Sequence, residues 1–184
     1  MQTKGFTLIE LLIVIGIIAI LATAVLLVIN PAQILAETRD TQRLNDLDVV
    51  RSAINLYSIN VVNPTFTGVW NCTLSPVAAP CLGATANVVR TTGGAGWVDV
   101  NFNSMGGGSP ISVLPLDPVG TQTAALHYSF ETNNTSKTYE ITAQMESAKY
   151  VNGGTGDKET PDGGNNANCY EVGNDLTLVG AAEC

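Results

Sequence analysis

The sequence predicts an α+β protein in which a long amino-terminal helical region precedes an antiparallel β-sheet head. Three observations support this fold class. An uncharged apolar run occupies residues 11–29, an amphipathic helical pattern follows over 32–60, and beyond residue 60 apolar residues alternate with polar ones as they do in strands. The later part is rich in Gly, Asn, Thr, Ser and Pro, which favours a loop-rich head.

The apolar run is long enough to cross a bilayer. Leu11–Ile29 contains nineteen uncharged residues, and at about 1.5 Å per residue a helix of this length matches the hydrocarbon core. Three interpretations fit: a permanent anchor, a cleavable secretory signal, or a helix that first spans the membrane and is later buried in an assembly. Lys4 and Ala22-Thr23-Ala24 are typical of a secretory signal, whereas Glu10 argues against one.

Glu10 needs a partner, because an ionised carboxylate at the centre of a bilayer costs about 2.5–3.5 kcal/mol. A cut between Gly5 and Phe6 would place a new amino group four residues before Glu10, on the same helical face. The amine of the same chain or of a neighbouring copy would neutralise Glu10, and a neighbour's amine would also set the register between identical helices. The alternative is a glutamate that reaches the lipid headgroups.

A known signal is recognisable at residues 4–10, which are Lys-Gly-Phe-Thr-Leu-Ile-Glu and precede the apolar run. They resemble the class III signal of type IV pilins and type II secretion pseudopilins. The resemblance implies that a prepilin peptidase cuts after Gly5 and methylates the amine of Phe6, and that Glu10 serves assembly. It also implies a pilin fold, with a leader at 1–5, a membrane and filament-core helix at 6–30, an amphipathic helix at 31–60 and a head at 61–184.

A second helix is predicted to follow a break at Pro31, because proline lacks a backbone donor and restricts Asn30. Three-four spacing predicts a stripe packed on the sheet, formed by Leu47, Val50, Ile54 and Tyr57. The opposite face carries charges of both signs, with the candidate pairs Asp40–Arg43, Arg43–Asp46 and Asp48–Arg51. We expect this charged face to be solvated or, alternatively, to contact other subunits.

Alternating segments predict three half-buried strands, Val98–Phe102, Leu126–Phe130 and Tyr139–Met145. The link Thr132–Lys137 makes the last two an antiparallel hairpin, and Leu176–Val179 is predicted to add an edge strand. His127 is expected to point to solvent from its strand. The segment Leu114–Pro118, Leu-Pro-Leu-Asp-Pro, is similar to the stretch that precedes the paired strands in major pseudopilins.

Residues that carry catalysis are scarce. The single histidine, His127, lies in no nucleophile-elbow motif. No glycine cluster continues into the Gly-Lys-Ser/Thr of a phosphate loop, so any ATP hydrolysis that drives assembly belongs to another protein. The four cysteines lack the C-x-x-C spacing of a zinc site and are interpreted as disulfides of an exported head. Four cysteines allow three connectivities, and we prefer the local pairs Cys72–Cys81 and Cys169–Cys184.

An acidic loop is a candidate calcium site. Asp157, Glu159 and Asp162 place three carboxylates within six residues of a glycine-rich segment, and calcium requires oxygen ligands. Asn165 and Asn166 would add ligands, and some of the major pseudopilins that the chain resembles bind calcium in a carboxyl-terminal loop. The alternative is a solvated acidic loop, and no other cofactor is expected.

The charge balance bears on the partners. The 184 residues include 8 Lys and Arg but 16 Asp and Glu, a formal net charge of -8, so nothing in the composition offers a basic surface for nucleic acid. The expected partners are other copies of the chain, the membrane, a prepilin peptidase and an inner-membrane assembly platform.

These observations predict a structural, non-enzymatic subunit that polymerises through its amino-terminal helix into a type IV pilus or pilus-like filament. One alternative is a major-type pseudopilin of type II secretion. Another is a membrane-tethered binding or sensor head that does not polymerise. The precursor is expected in the inner membrane, and the mature chain in a filament at the cell surface or across the periplasm.

Overall fold

The computed structural model describes residues 5–76, 81–120 and 126–180, apart from the side chains of 26–28. It confirms the predicted α+β class, since two helices precede a sheet of five strands within the described residues. The chain divides into two compact units, residues 1–35 and 36–184. The first unit holds the apolar helix, and the second holds the head.

The helical region is broken where the sequence predicts it. The first helix, α1, spans Leu8–Ile29 and ends at Asn30, which takes a left-handed conformation with a φ of 38°. The second helix, α2, spans Pro31–Asn60. Proline suits the first position of a helix because its missing N–H would have no intrahelical partner there. The carbonyl of Asn30 accepts the N–H of Gln33 at 3.1 Å, so α2 starts its own hydrogen-bond ladder.

One face of α2 forms the core of the head. The predicted stripe of Leu47, Val50, Ile54 and Tyr57 is at most 2% exposed, which confirms the prediction. Each large side chain buried in this way contributes about 1.5–3 kcal/mol. The same core contains aromatic and aliphatic side chains from the loops and strands, namely Phe66, Trp97, Val98, Val100, Phe102, Leu114, Tyr128, Phe130, Tyr139 and Ile141.

The sheet has the strand order β2-β1-β3-β4-β5. Its strands are β1 Asn71–Cys72, β2 Thr85–Ala86, β3 Tyr128–Asn133, β4 Thr138–Ala143 and β5 Tyr170–Gly173. The strands β3 and β4 form the predicted hairpin, with Phe130 opposite Ile141. The pair β1–β2 is parallel and the other pairs are antiparallel, so the sheet is mixed rather than antiparallel throughout.

Two predicted strands are wrong. Val98–Phe102 keeps its alternating burial, but the N–H of Phe102 donates to the carbonyl of Thr92 in a loop, and a short 3-10 helix begins there. Leu176–Val179 lies in turns, and the strand at that edge of the sheet is β5. The N–H groups of Phe102, Leu178 and Val179 have partners outside the sheet ladder, which an alternating pattern cannot indicate.

Both faces of the central strands are buried, so the prediction of half-buried strands is also wrong. Ser129, Glu140 and Thr142 alternate with core residues and therefore point away from the core, yet all three are buried. The segments on either side of β5 cover this second face. The N–H groups of Leu178 and Val179, for example, both donate to Oε2 of Glu140 at 2.8 Å.

The prediction that Asp40 and Arg43 lie on a solvated face opposite the apolar stripe is wrong. The two residues continue the three-four spacing of that stripe and form a buried ion cluster. The side chains of Arg43 and Asp40 are both 0% exposed. The guanidinium of Arg43 donates to Asp117 from Nε at 2.6 Å and from Nη2 at 3.0 Å, and to Asp40 from Nη1 at 2.7 Å. Asp40 also accepts the N–H groups of Glu146 and Ser147, at 2.9 and 2.7 Å. The cluster therefore joins α2 to segments before β3 and after β4.

The other predicted pairs have different outcomes. Asp48 and Arg51 form an exposed ion pair, as predicted. Asp46 does not pair with Arg43, whose guanidinium is directed to other carboxylates. Asp46 instead accepts the hydroxyl of Tyr128 at 2.8 Å, and burial raises the pKa of its carboxyl above the ordinary value.

We expect Asp117→Asn to destabilise the head by about 3–5 kcal/mol, because it leaves the buried Arg43 without its main counter-charge. Burial lowers the pKa of Arg43, but the bonds to Asp117 and Asp40 raise it above the ordinary value, so the guanidinium stays charged. Urea unfolding of the full chain in detergent micelles measures the loss.

The matched control is Asp48→Asn, which removes the partner of an exposed arginine and should cost less than about 1 kcal/mol. Similar losses for the two variants would contradict the structural role of Asp117.

Candidate functional site

The residues of the predicted cleavage site lie in an exposed, non-helical segment before α1. Phe6 is 83% exposed, and Gly5 precedes it directly. A Cβ added at Gly5 would meet no atom within 4 Å. The described chain therefore does not itself require glycine at position 5, and the space beside the backbone is open to a partner that approaches closely.

Thr7 and Glu10 form a capping box at the start of α1. Oγ1 of Thr7 accepts the N–H of Glu10 at 3.3 Å, and Oε2 of Glu10 accepts the N–H and the hydroxyl of Thr7 at 2.8 and 2.7 Å. Within the single chain Glu10 therefore caps α1, a role that the sequence analysis did not predict. The spacing Thr-x-x-Glu before an apolar run is the signal that would have found it.

The cap leaves part of the Glu10 carboxylate available. Both bonds to Thr7 use Oε2, and within the described residues Oε1 accepts none. Hydrogen bonds from neutral donors do not cancel the negative charge, whose presence in lipid remains costly. The amine of a chain that begins at Phe6 would supply a positive charge of the right kind.

The helix α1 has no buried face over the residues Leu8–Val25. The window Leu8–Val25 has a mean hydropathy of 2.9, and none of it is buried. A helix at the surface of a globular protein is apolar on one side only, whereas this helix is apolar all round. Its length and composition are those of a helix that crosses a membrane.

The three carboxylates of the candidate calcium loop bind backbone donors of the head. Asp157 accepts the N–H of Gly153 at 2.9 Å, and this bond is the main reason that the pKa of its carboxyl falls to about 2. Glu159 accepts two N–H groups, both at 2.8 Å, and Asp162 accepts two, at 2.9 and 2.7 Å. Among the described residues these three do not form a group whose oxygens all lie within 4.8 Å of one another. Calcium binding by this loop stays a prediction.

The cysteines close loops of the head. Cys72 and Cys81 form the predicted disulfide. His127 lies beside it and is buried rather than solvent-facing as expected, with its ligand atom within 4.8 Å of both sulfurs. Because a disulfide offers no thiolate, these three residues do not make a metal site. Cys169 is buried and disulfide-bonded, whereas Cys184 lies outside the described residues, so the pair Cys169–Cys184 stays a prediction.

Comparison with known proteins bears on the amino-terminal segment. No curated protein and no solved structure matches the chain. Residues 1–26 match the family model of the prokaryotic N-terminal methylation motif, which occurs in structural pilin-type proteins. The exposed Gly5–Phe6 segment, the capped Glu10 and the apolar α1 therefore coincide with the class III prepilin signal of type IV pilins and pseudopilins.

Proposed function

We propose that this chain is a structural, non-enzymatic subunit of a type IV pilus or pilus-like filament. The observation that carries the proposal is a methylation motif on a helix that has no buried face. Lipid covers such a helix while it is in the membrane. Once the helix leaves the membrane, burial against the helices of other copies keeps its apolar surface from water.

Glu10 gives the assembly its register. Apolar helices can pack against one another at many relative heights, because their contacts are similar at each. A carboxylate in apolar surroundings is satisfied only where a cation meets it. In the filament that cation is the methylated amine of Phe6 in an adjacent copy, bound at the Oε1 atom that the cap leaves available.

The subunit begins as a precursor in the inner membrane. A prepilin peptidase removes residues 1–5 on the cytoplasmic side, which also removes Lys4, the only positive side chain before Arg39. An assembly platform with its own ATP hydrolysis then extracts the helix into the filament. The filament lies at the cell surface or, in a pseudopilus of type II secretion, spans the periplasm.

Electron microscopy of sheared surface material, with mass spectrometry of its subunit, tests the proposal. We expect filaments that contain this chain and disappear when its gene is deleted. Deletion that instead stops the export of a secreted enzyme would identify a pseudopilus. Normally processed chain that enters no filament, with export intact, would indicate a tethered head and overturn the proposal.

We expect cleavage between Gly5 and Phe6 and methylation of Phe6, both measured by mass spectrometry of the amino-terminal peptide. Gly5→Leu should abolish cleavage, because its side chain would obstruct the narrow site of the peptidase. Since the chain leaves the space beside Gly5 open, that loss would not come from misfolding.

Gly16→Leu is the control, because it adds the same side chain at another position with no atom within 4 Å and should leave cleavage intact. A mature chain that begins at Val25, or normal processing of Gly5→Leu, would contradict the prediction.

We expect Glu10→Gln to reduce filament yield more than tenfold, because a neighbour's amine left buried and unpaired costs about 2–5 kcal/mol. Glutamine can retain the capping box, so the loss would report the charge rather than the cap. Immunoblots of sheared material measure filaments, and those of membranes measure processing, which should stay normal.

Thr7→Ala is the converse control. It removes the hydroxyl of the cap but keeps the carboxylate, and should still assemble. Normal filaments from Glu10→Gln would show that the charge is not needed.

A further inference from the structure

Two buried carboxyl groups lie side by side on the second face of the sheet. Glu140 of β4 is 0% exposed and Glu171 of β5 is 2% exposed. Glu140 is paired with Gly173 and Thr142 with Glu171, so the two glutamates are diagonal neighbours on the same face of adjacent strands. The carboxyl of Glu171 is close enough to that of Glu140 to raise its pKa.

The surroundings of this pair are acidic or neutral. Within the described residues, no ion pair includes Glu140 or Glu171. Glu131 of β3 is opposite Glu140 in the register of the sheet. On the covering side, Asp162 accepts the N–H of Glu171 at 2.7 Å, and Asp175 lies in the turn at residues 174–180, which covers Glu140. Ionisation of both glutamates would therefore bring two like charges together without a counter-charge.

The two oxygens of Glu140 are used unequally. Oε2 accepts the N–H groups of Leu178 and Val179, each at 2.8 Å. Oε1 is buried and has no hydrogen-bond partner. A buried carboxylate oxygen without a donor is costly, and a second carboxyl beside it adds repulsion. A proton on Oε1 that is donated to Glu171 removes both costs.

We propose that Glu140 carries a proton at neutral pH, donated to Glu171, and that this proton keeps the turn at residues 174–180 on the sheet. When the proton leaves, the turn that covers Glu140 opens, because this admits water to the charge with the least disturbance of the sheet. The second face of the head thus contains a proton-controlled latch.

The latch predicts the direction of the pH dependence. Burial, followed by the contact with Glu171, raises the pKa of Glu140 from 4.5 to about 8. The folded chain therefore binds this proton more tightly than the unfolded chain does, and stability falls as the pH rises from about 4.5 to about 8. Between pH 6 and pH 9 the equilibrium constant for unfolding should rise roughly a hundredfold.

The test is denaturant unfolding of the full chain in detergent micelles at several pH values between 6 and 9. The informative variant is Glu140→Gln, whose carbonyl still accepts from Leu178 and Val179 while its amide donates to Glu171 without titrating. We expect the wild type to show the hundredfold change and the variant to show less than a threefold change. Amide-exchange protection of Leu178 and Val179 should fall at high pH in the wild type only.

Two controls isolate the effect. Asp99→Asn removes a half-buried carboxyl, whose pKa is raised by burial to about 6, and should keep the wild-type change between pH 7 and pH 9. His127→Gln removes the buried histidine and should keep it too. If Glu140→Gln does not fold, Glu171→Gln removes the neighbouring carboxylate and should reduce the same pH dependence without abolishing it, because burial still raises the pKa of Glu140.

Two results would overturn the proposal. One is a pH dependence that persists in Glu140→Gln or, if that variant does not fold, is as large in Glu171→Gln as in the wild type, since a group other than Glu140 would then account for it. The other is a wild-type pH dependence that millimolar calcium chloride removes, since the two carboxyl groups would then bind a cation in place of the proton.

Discussion

The ion pair between Arg43 and Asp117 is the contact on which the arrangement of the head depends. A buried guanidinium must have its donors satisfied and its charge compensated, or it destabilises the fold. Arg43 meets this requirement with carboxylates from its own helix and from the segment before β3. The apolar stripe of α2 fixes which face of the helix meets the sheet. The ion cluster fixes where along its axis the helix lies, because a shift of one turn would separate these charges.

The segment Leu114–Pro118 gains a structural role from this contact. It places Asp117 in contact with Arg43 of α2, and the carbonyl of Pro115 accepts a hydrogen bond from Nε1–H of Trp97 at 2.8 Å. Trp97 is fully buried, with its ring centroid 5.8 Å from that of Tyr128. One short extended segment therefore supports both the ion cluster and the aromatic core, which explains why an aspartate and prolines occur together in it.

The predictable part of the fold is the part encoded by local periodicity. The two helices and the β3–β4 hairpin follow patterns of 3.6 and 2 residues, and the break at Pro31 follows from the chemistry of proline. The burial of the second face does not follow from such a pattern. Glu140 alternates with core residues, just as a solvent-facing residue of a strand would. Residues 144–180 bury Glu140, and their sequence has no hydrophobic periodicity that would predict this. Likewise, the pairing of Arg43 with a residue 74 positions away has no local signal.

The predictable part of the candidate site is equally local. Gly5, Phe6 and Glu10 are recognisable because the signal they resemble is a short linear segment, and the family model covers the same residues. The role of the acidic loop around Asp157, Glu159 and Asp162 is less predictable from the sequence. Three carboxylates close in sequence suggest a cation, but in the structure Asp157 and Glu159 accept backbone N–H groups. Composition alone does not separate these two uses of a carboxylate.

The left-handed Asn30 has a mechanical consequence. Unwinding spreads along a helix through the ladder of hydrogen bonds that links each N–H to the carbonyl four residues earlier. Pro31 contributes no N–H to that ladder, and α2 begins its own at the carbonyl of Asn30. Melting that starts in α1 therefore stops at this residue. Under tension, α1 can lengthen from about 1.5 Å to about 3.3 Å per residue while the head keeps its core, so extension of α1 and unfolding of the head are separate events.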